Sequence, residues 1–387
     1  MNARGKLFGL VILLVAALLV APCGDGGTAT IPTAAGDGRT EKTATPTQPR
    51  GSWNPEMQKL LKAAAAEGGV INGVGSTYDI PGFGKAVEQG MSEYFGMKFT
   101  LNVIAGPVQA QLGTRILQEI AAGRQASTDF WTATDPDMVR LWNAGGLLKV
   151  DWKKYNPSIP DVAIGPDGTS LAYDTQIKSV LYNTNMVRGD DIPRALVDTL
   201  KPKFAKQVAS TPYSTGFDLA AVFGVGEKYM KEYIENLVAK NLAGLIRCGE
   251  YERVATGEFA MLAVTCSTGL VTQLMEAGAP IDFVVLKDLP VMNYSYQAIP
   301  KNAVHPASAT LMMLFGQTQQ GQELHWKFER QGLAEYDYSP VKKIVQEKVF
   351  NRGIMPLRVN AVMLSKMKDD LERIKTAQQR LLRGERY

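Results

Sequence analysis

The sequence predicts an α/β protein of two lobes with a cleft between them, on three observations. From residue 53 onward, short apolar runs alternate with amphipathic stretches, which is the pattern of strands and helices in a sheet covered on both faces. A second series of the same kind follows a polar middle segment, and the chain then returns, so that one lobe interrupts the other. The 387 residues are 45% hydrophobic and 21% charged, which suffices for a large buried core.

The elements are read in chain order. A helix is predicted over 54–67, with Pro55 in its first turn and Gly68-Gly69 as its stop. A strand over 70–75, a helix over 83–95 closed by Gly96, a strand over 99–104 and a helix over 108–122 ended by Gly123 follow. A strand over 128–132 leads through Asp135-Pro136 into a helix reaching Ala144. This alternation suggests a parallel sheet. In the middle, strands over 170–173 and 179–183 flank a polar bend, Asp174-Thr175-Gln176. The second series comprises 207–210, a helix from Phe217, a long helix over 227–240, a segment near 252–255, a strand over 260–264 and a helix over 270–277. Strands over 283–286 and 294–299 precede a helical stretch over 307–331. The tail over 359–382 carries Leu364, Met367, Leu371, Ile374 and Leu381 at helical spacing. No internal repeat is visible.

Ahead of this body lies a segment with the layout of a secretory signal. Arg4 and Lys6 precede an apolar run over 7–21, too short to span a bilayer comfortably. The run ends in Val20-Ala21-Pro22-Cys23, which resembles a bacterial lipobox in which the cysteine becomes the lipidated first residue. Pro22 departs from the usual Gly, Ala or Ser, and an uncleaved N-terminal anchor is the other reading. Residues 1–22 are thus expected to be a signal peptide. Residues 23–52, rich in Gly, Thr, Pro and Ala, form a spacer that cannot bury enough surface to order itself. Either reading exports the body to the periplasm or the outer face of the cytoplasmic membrane and tethers it there. Export makes a disulfide between Cys248 and Cys266 possible, and the sequence leaves their pairing open.

Composition also excludes. With 42 Lys and Arg against 38 Asp and Glu there is no electrostatic case for nucleic acid. Two histidines and three cysteines do not make a His-rich or Cys-rich metal site. Gly-x-Ser-x-Gly, Gly-x-Gly-x-x-Gly, a Walker loop and zinc spacings are absent. Cys266 with a histidine is the nearest approach to a nucleophile pair, but neither His305 nor His325 follows a strand end, and no enzymatic activity is expected. His305 before Pro306 looks structural, and His325 beside Trp326 reads as a partly buried helix residue.

A series of short motifs then follows in a fixed order. Glu119-Ile120-Ala121-Ala122-Gly123 ends a helix, Asp129 leads a strand, and Gly146-Leu147-Leu148 makes a turn. Tyr182-Asn183-Thr184, Gly257-Glu258, Gly278-Ala279-Pro280 and His305-Pro306-Ala307-Ser308-Ala309 follow in order, up to Gln320-Gly321-Gln322. Over about residues 68–335 this order resembles exported solute-binding proteins of ABC importers, in the branch that includes the iron(III)-binding proteins. The resemblance implies a type II periplasmic-binding-protein fold: two lobes, an interlobe cleft, two crossover strands and ligand capture by hinge closure. Lobe 1 is expected over 53–175 and 290–335, and lobe 2 over 176–289 and 336–387. The resemblance also implies delivery to an ABC permease by a monomer without a cofactor.

Ligands of open α/β sheets bind beyond the carboxyl ends of the strands. Four polar turns fall there: Ser76-Thr77-Tyr78, Thr132-Ala133-Thr134-Asp135, Ser214-Thr215-Gly216, and Thr265-Cys266-Ser267-Thr268-Gly269. Unpaired amides at helix N-termini, with Ser and Thr hydroxyls, make an anion site without Lys or Arg. Ordinary helix capping by the same side chains is the competing reading. The candidate ligand residues are Ser76, Thr77, Tyr78, Thr132, Thr134, Gln176, Ser214, Thr215, Thr265, Ser267, Thr268 and Tyr294. The alternative cargo is iron(III), for which Tyr78, Tyr182, Tyr294 and Tyr296 are the candidate oxygen ligands. Iron-binding relatives carry adjacent tyrosines in the turn that corresponds to 265–269. This chain has none there, so a small anion is the first expectation.

Overall fold

Asn54 opens the first helix by accepting a hydrogen bond from the Met57 amide at 2.8 Å, and Pro55 takes the first helical position, where a missing N–H costs nothing. The computed structural model describes residues 53–74, 77–107 and 109–385, and of Thr77, Thr134, Asp135 and Pro136 only the backbone. The expected signal peptide, Cys23, the spacer to residue 52 and Ser76 lie outside the described residues.

The first part of the chain builds α1 (Pro55–Ala66), β1 (Val70–Val74), α2 (Phe83–Phe95), β2 (Thr100–Ile104), α3 (Gln109–Ala121), β3 (Trp131–Thr134), α4 (Asp135–Asn143) and the single turn α5 (Trp152–Tyr155). Then come β4 (Ser170–Ile177), β5 (Val180–Asn183), β6 (Val208–Ser210), α6 (Phe217–Phe223), α7 (Glu227–Asn236), β7 (Leu242–Leu245), α8 (Glu252–Ala255), β8 (Met261–Leu262), α9 (Thr268–Glu276) and β9 (Ile281–Val284). The return is β10 (Val291–Ala298), α10 (Pro306–Gly316), α11 (Gln319–Glu329), α12 (Pro340–Lys348), β11 (Leu357–Arg358), α13 (Ala361–Lys366) and α14 (Lys368–Leu382). Among the described residues no helix is long and apolar enough to cross a membrane.

β1 and β2 pair in parallel, and Gly73 of β1 bridges to Phe130. A Cβ on Gly73 would meet the Phe130 ring at 2.6 Å, so a side chain there would displace that ring. A second sheet joins β11, β10 and β3, with β4 on the other edge of β10. The third runs β7-β6-β8-β5-β9. The expected parallel pairing holds for β1 with β2 and for β6 with β7 and β8, but β10 is antiparallel to β3 and β4, and β5 to β8 and β9. β10 returns as one long strand from the second half, with no crossover helix to impose parallel pairing.

Other boundaries move for identifiable reasons. The strand expected over 128–132 is β3, starting at Trp131; ahead of it Phe130 makes only an isolated bridge to Gly73, and the Asp129 carboxylate accepts from the Asn72, Val304 and His305 amides. The expected bend at Asp174–Gln176 is instead the interior of β4, and the irregularity falls at Tyr173, where the register with β10 shifts. The long helix over 227–240 stops at Asn236 and closes in a wider π turn, Leu237–Asn241. The helical stretch over 307–331 breaks at Gln317-Thr318, where Thr318 caps α11 by accepting from the Gly321 amide. The tail divides at Met367 into α13 and α14.

One core gathers Met57, Phe83, Phe130, Trp131, Leu171, Tyr296 and the buried length of α10, drawing on the first part of the chain and on the return. Others gather Val180, Phe217, Met230, Ile234 and Leu381, and Leu181, Tyr251 and Phe283, around the third sheet. β4 and β10 lie side by side and reach from the first core to the others. Leu171 and Tyr296 sit in the first, and Val291 and Val180, just past the end of β4, in the second.

Candidate functional site

The paired strands carry a polar face where burial predicts an apolar one. Ser295 lies opposite Asp174, Asn293 opposite Gln176, and Gln297 opposite Leu171 on one edge and Thr132 on the other. Paired residues share a face and successive ones alternate. Asp174, Gln176, Asn293, Ser295, Gln297 and Thr132 therefore line one side, all buried. Gln176 Nε2 donates to Asp174 and, at 3.4 Å, to Ser295 Oγ. Gln297 donates to the Tyr78 hydroxyl, which also contacts His325 Nε2 at 3.5 Å. Two oxygens of this face, Gln176 Oε1 and Thr132 Oγ1, have no hydrogen-bond partner among the described residues.

Lys178 extends the same alternation. Its stem covers Gly216, where a Cβ would meet Lys178 Cγ at 2.8 Å, and its Nζ donates to the Cys266 carbonyl at 3.5 Å. Gly216 holds φ +88°, and Thr215 before it holds φ +39°, an uncommon conformation for a β-branched residue. One side chain thus touches the turns that open α6 and α9, with its stem at the first and its ammonium at the second.

The amides of those turns are partly spoken for. The Gly216 and Leu219 amides donate to Asp218 Oδ1 at 3.1 and 2.8 Å, and those of Cys266 and Ser267 donate to the Tyr251 hydroxyl at 2.8 and 3.1 Å. Burial pushes the Asp218 carboxyl upward and does the same to the Tyr251 phenol. Lys375 and Lys178 both bring positive charge to Asp218 at this place. Ser214 Oγ donates to Gln378 of α14, and Thr215 Oγ1 meets Thr211 Oγ1 at 2.7 Å. Thr265 Oγ1 pairs with Ser179 Oγ at 2.8 Å, fully buried. Ser267 precedes α9 without capping it, and Thr268 is its first residue.

The candidate tyrosines do not converge. Tyr78 belongs to the polar face, and burial raises its phenol. Tyr294 points to the opposite side of β10, where its hydroxyl donates to Glu335 at 2.8 Å. The Tyr296 hydroxyl accepts from the Ala361 amide, and Tyr182 donates to Asp282 at 3.3 Å. Burial pushes the Tyr182 phenol up to about 12, with Asp282 adding to the shift. No group of three or more His, Cys, Asp or Glu placed to hold a metal occurs among the described residues.

α9 and α11 also meet at a tight contact. A Cβ on Gly269 of α9 would lie 2.6 Å from the Glu329 carbonyl and 3.0 Å from that of Arg330, at the end of α11. Gln273 donates to the Phe328 carbonyl at 3.1 Å, and Arg330 pairs with Glu276 at 2.6 Å. A disulfide joins Cys248 to Cys266, tying the turn before α9 to the loop after β7.

Sequence reasoning passed over Asp174, Lys178, Asn293 and Ser295. The available signal was Asp174-x-Gln176-x-Lys178 and Asn293-x-Ser295-x-Gln297, polar residues at period two inside otherwise apolar strands.

The family described as bacterial extracellular solute-binding protein matches this chain over residues 126–333. No curated protein sequence matches. Among solved structures, iron-bound HitA from Pseudomonas aeruginosa is similar at 17% identity with a TM-score of 0.58, over 79% of this chain and 98% of that one. Trichodesmium FutA in complex with iron and citrate is similar at 17% identity and TM-score 0.62, over 80% and 99%. An ABC transporter substrate-binding protein from Bradyrhizobium japonicum is similar at 13% identity and TM-score 0.65, over 81% and 99%.

Proposed function

This chain belongs to the bacterial extracellular solute-binding protein family, and on that footing we propose that it is an exported receptor that captures a small anionic solute between its lobes and hands it to an ABC permease. Lys178 carries the reading. It is a buried cation just past the end of β4, its side chain in contact with the opening turns of two helices, beside a face holding unpartnered oxygens. A solute held there touches both halves, so its contacts favour the closed arrangement over the open one. The lobes are taken as 53–175 with 290–335 and 176–289 with 336–387, hinged on β4 and β10. The protein works as a monomer, tethered through a lipid on Cys23, and binds without turnover. Thermal-shift titration against phosphate, phosphonate, sulfonate and carboxylate panels tests this. A ligand at a hundredfold its Kd stabilises by about 2.7 kcal/mol. A stabilising anion that loses its effect in Lys178→Met supports the reading, and one equally effective on both proteins removes it.

Two of the similar structures bind iron by their titles, which gives iron(III) a hearing. Against it, only Tyr294 and Tyr296 share a face, and each of the four candidate phenols holds another partner. Ferric salt, with and without citrate, is expected to give no visible absorption band. A phenolate-to-iron band would establish the metal reading.

A further inference from the structure

We infer that the solute is a zwitterion: an anion carrying an ammonium group on a short chain, bound with its anionic end at Lys178 and its ammonium at Asp174 and Gln176. This rests on the preceding reading that Lys178 takes the anion, and adds an observation that Lys178 does not supply. Gln176 is 6% exposed and Asp174 2% exposed. The Gln176 amide gives its N–H groups to Asp174 and Ser295, which directs its acceptor away from both. Oε1 is left with no partner among the described residues. A buried acceptor without a donor forfeits a hydrogen bond that water would have given it, and native proteins rarely leave one so. A guest that fills this place must therefore bring an N–H or O–H donor.

Asp174 asks for more than a donor. Its partners are the Gly332 amide at 3.1 Å and the Gln176 amide, both neutral. Lys178, just past the end of β4, acts on it by charge but gives its Nζ to the Cys266 carbonyl. The neighbouring carboxylates are already engaged. Glu329 holds His325 at 2.7 Å, and Glu335 faces the other side of the sheet with Tyr294 and Thr175. A plain anion would place a second negative charge near Asp174 and leave Oε1 unanswered. An ammonium carries three donors and a positive charge, so it answers both groups at once. Acceptors at one end of the strand face and a cation at the other match a guest with opposite charges a few bonds apart.

Matched acids that differ only in the amino group provide the test: aminoethylphosphonate with ethylphosphonate, taurine with ethanesulfonate, and β-alanine with propionate, titrated calorimetrically into the whole protein. At least one amino acid of these pairs is expected to bind about tenfold or more tighter than its partner. Asp174→Asn keeps the shape and the Gly332 acceptor, and should bring that ratio close to one. Lys178→Met should weaken both members of the pair together. Gln176→Leu gives a second reading of the ratio should Asp174→Asn fail to fold. Equal binding within every pair overturns the zwitterion and leaves the anion site standing. Absence of binding by every member overturns the anion site and the zwitterion with it.

Discussion

Lys178 Nζ lies 3.5 Å from the Cys266 carbonyl oxygen while the same side chain covers Gly216, so one residue just past β4 binds the opening turns of α6 and α9 together. Lys178→Met keeps the stem that packs on Gly216 and removes the charge. The expected outcome is a loss of anion affinity of about tenfold or more, with the unliganded melting temperature nearly unchanged. Calorimetric titration alongside a thermal melt separates the two effects.

Gly269 tests the proposed closure. Alanine in a helix is ordinarily favourable by up to about 1 kcal/mol, but here its Cβ would press on two carbonyl oxygens of the α11 end. Those atoms are backbone and cannot rotate away. Gly269→Ala is expected to weaken ligand binding and to prevent compaction on ligand addition, as read by small-angle scattering, while the unliganded protein stays folded. Normal compaction in the variant would show that α9 and α11 do not form the closing contact.

The Cys248–Cys266 bond closes a loop of sequence separation 18 and should stabilise the fold by roughly 2–4 kcal/mol. Because Cys266 also supplies the carbonyl that Lys178 holds, reduction or a Cys248→Ser, Cys266→Ser pair is expected to lower both the melting temperature and the anion affinity. Melts with and without reductant, followed by titration of the reduced protein, check both.

Much of the frame was legible because local chemistry decides it. α2 runs over Phe83–Phe95 as expected, with glycine in left-handed geometry at Gly82 and Gly96 on its flanks. The site was less legible, since its partners come from afar. Asp174 and Gln176 read as a bend because polar residues in a strand usually face water, and Asn293 and Ser295, which pair with them, lie more than a hundred residues on. Open amides at the α9 turn were a fair expectation until the Tyr251 hydroxyl took two of them. Asp218, two residues past Gly216, was a local cap that the sequence could have yielded.

Burial raises the Asp174 carboxyl from an ordinary 3.8 to about 7, with the charge of Glu329 pushing the same way and the Gly332 amide opposing. Between about pH 4 and pH 7 the unfolded chain has lost this proton and the folded chain keeps it. Stability from this group is therefore full below that window and falls as pH rises through it, by up to ~4 kcal/mol. Melts of the unliganded protein from about pH 4 to pH 8 should show this decline, and Asp174→Asn should flatten it. A guest ammonium at Asp174 favours the ionised form, so binding near neutrality should release a proton, seen as a dependence of the binding heat on the buffer's ionisation heat.

The most direct measurement is a crystal structure of the protein carrying the solute it retains when purified under native conditions. The account predicts density between the halves, with an anionic group within hydrogen-bond distance of Lys178 Nζ and the rest of the molecule along the Asp174–Asn293 face. A solute without negative charge, or one seated away from β4 and β10, would contradict it.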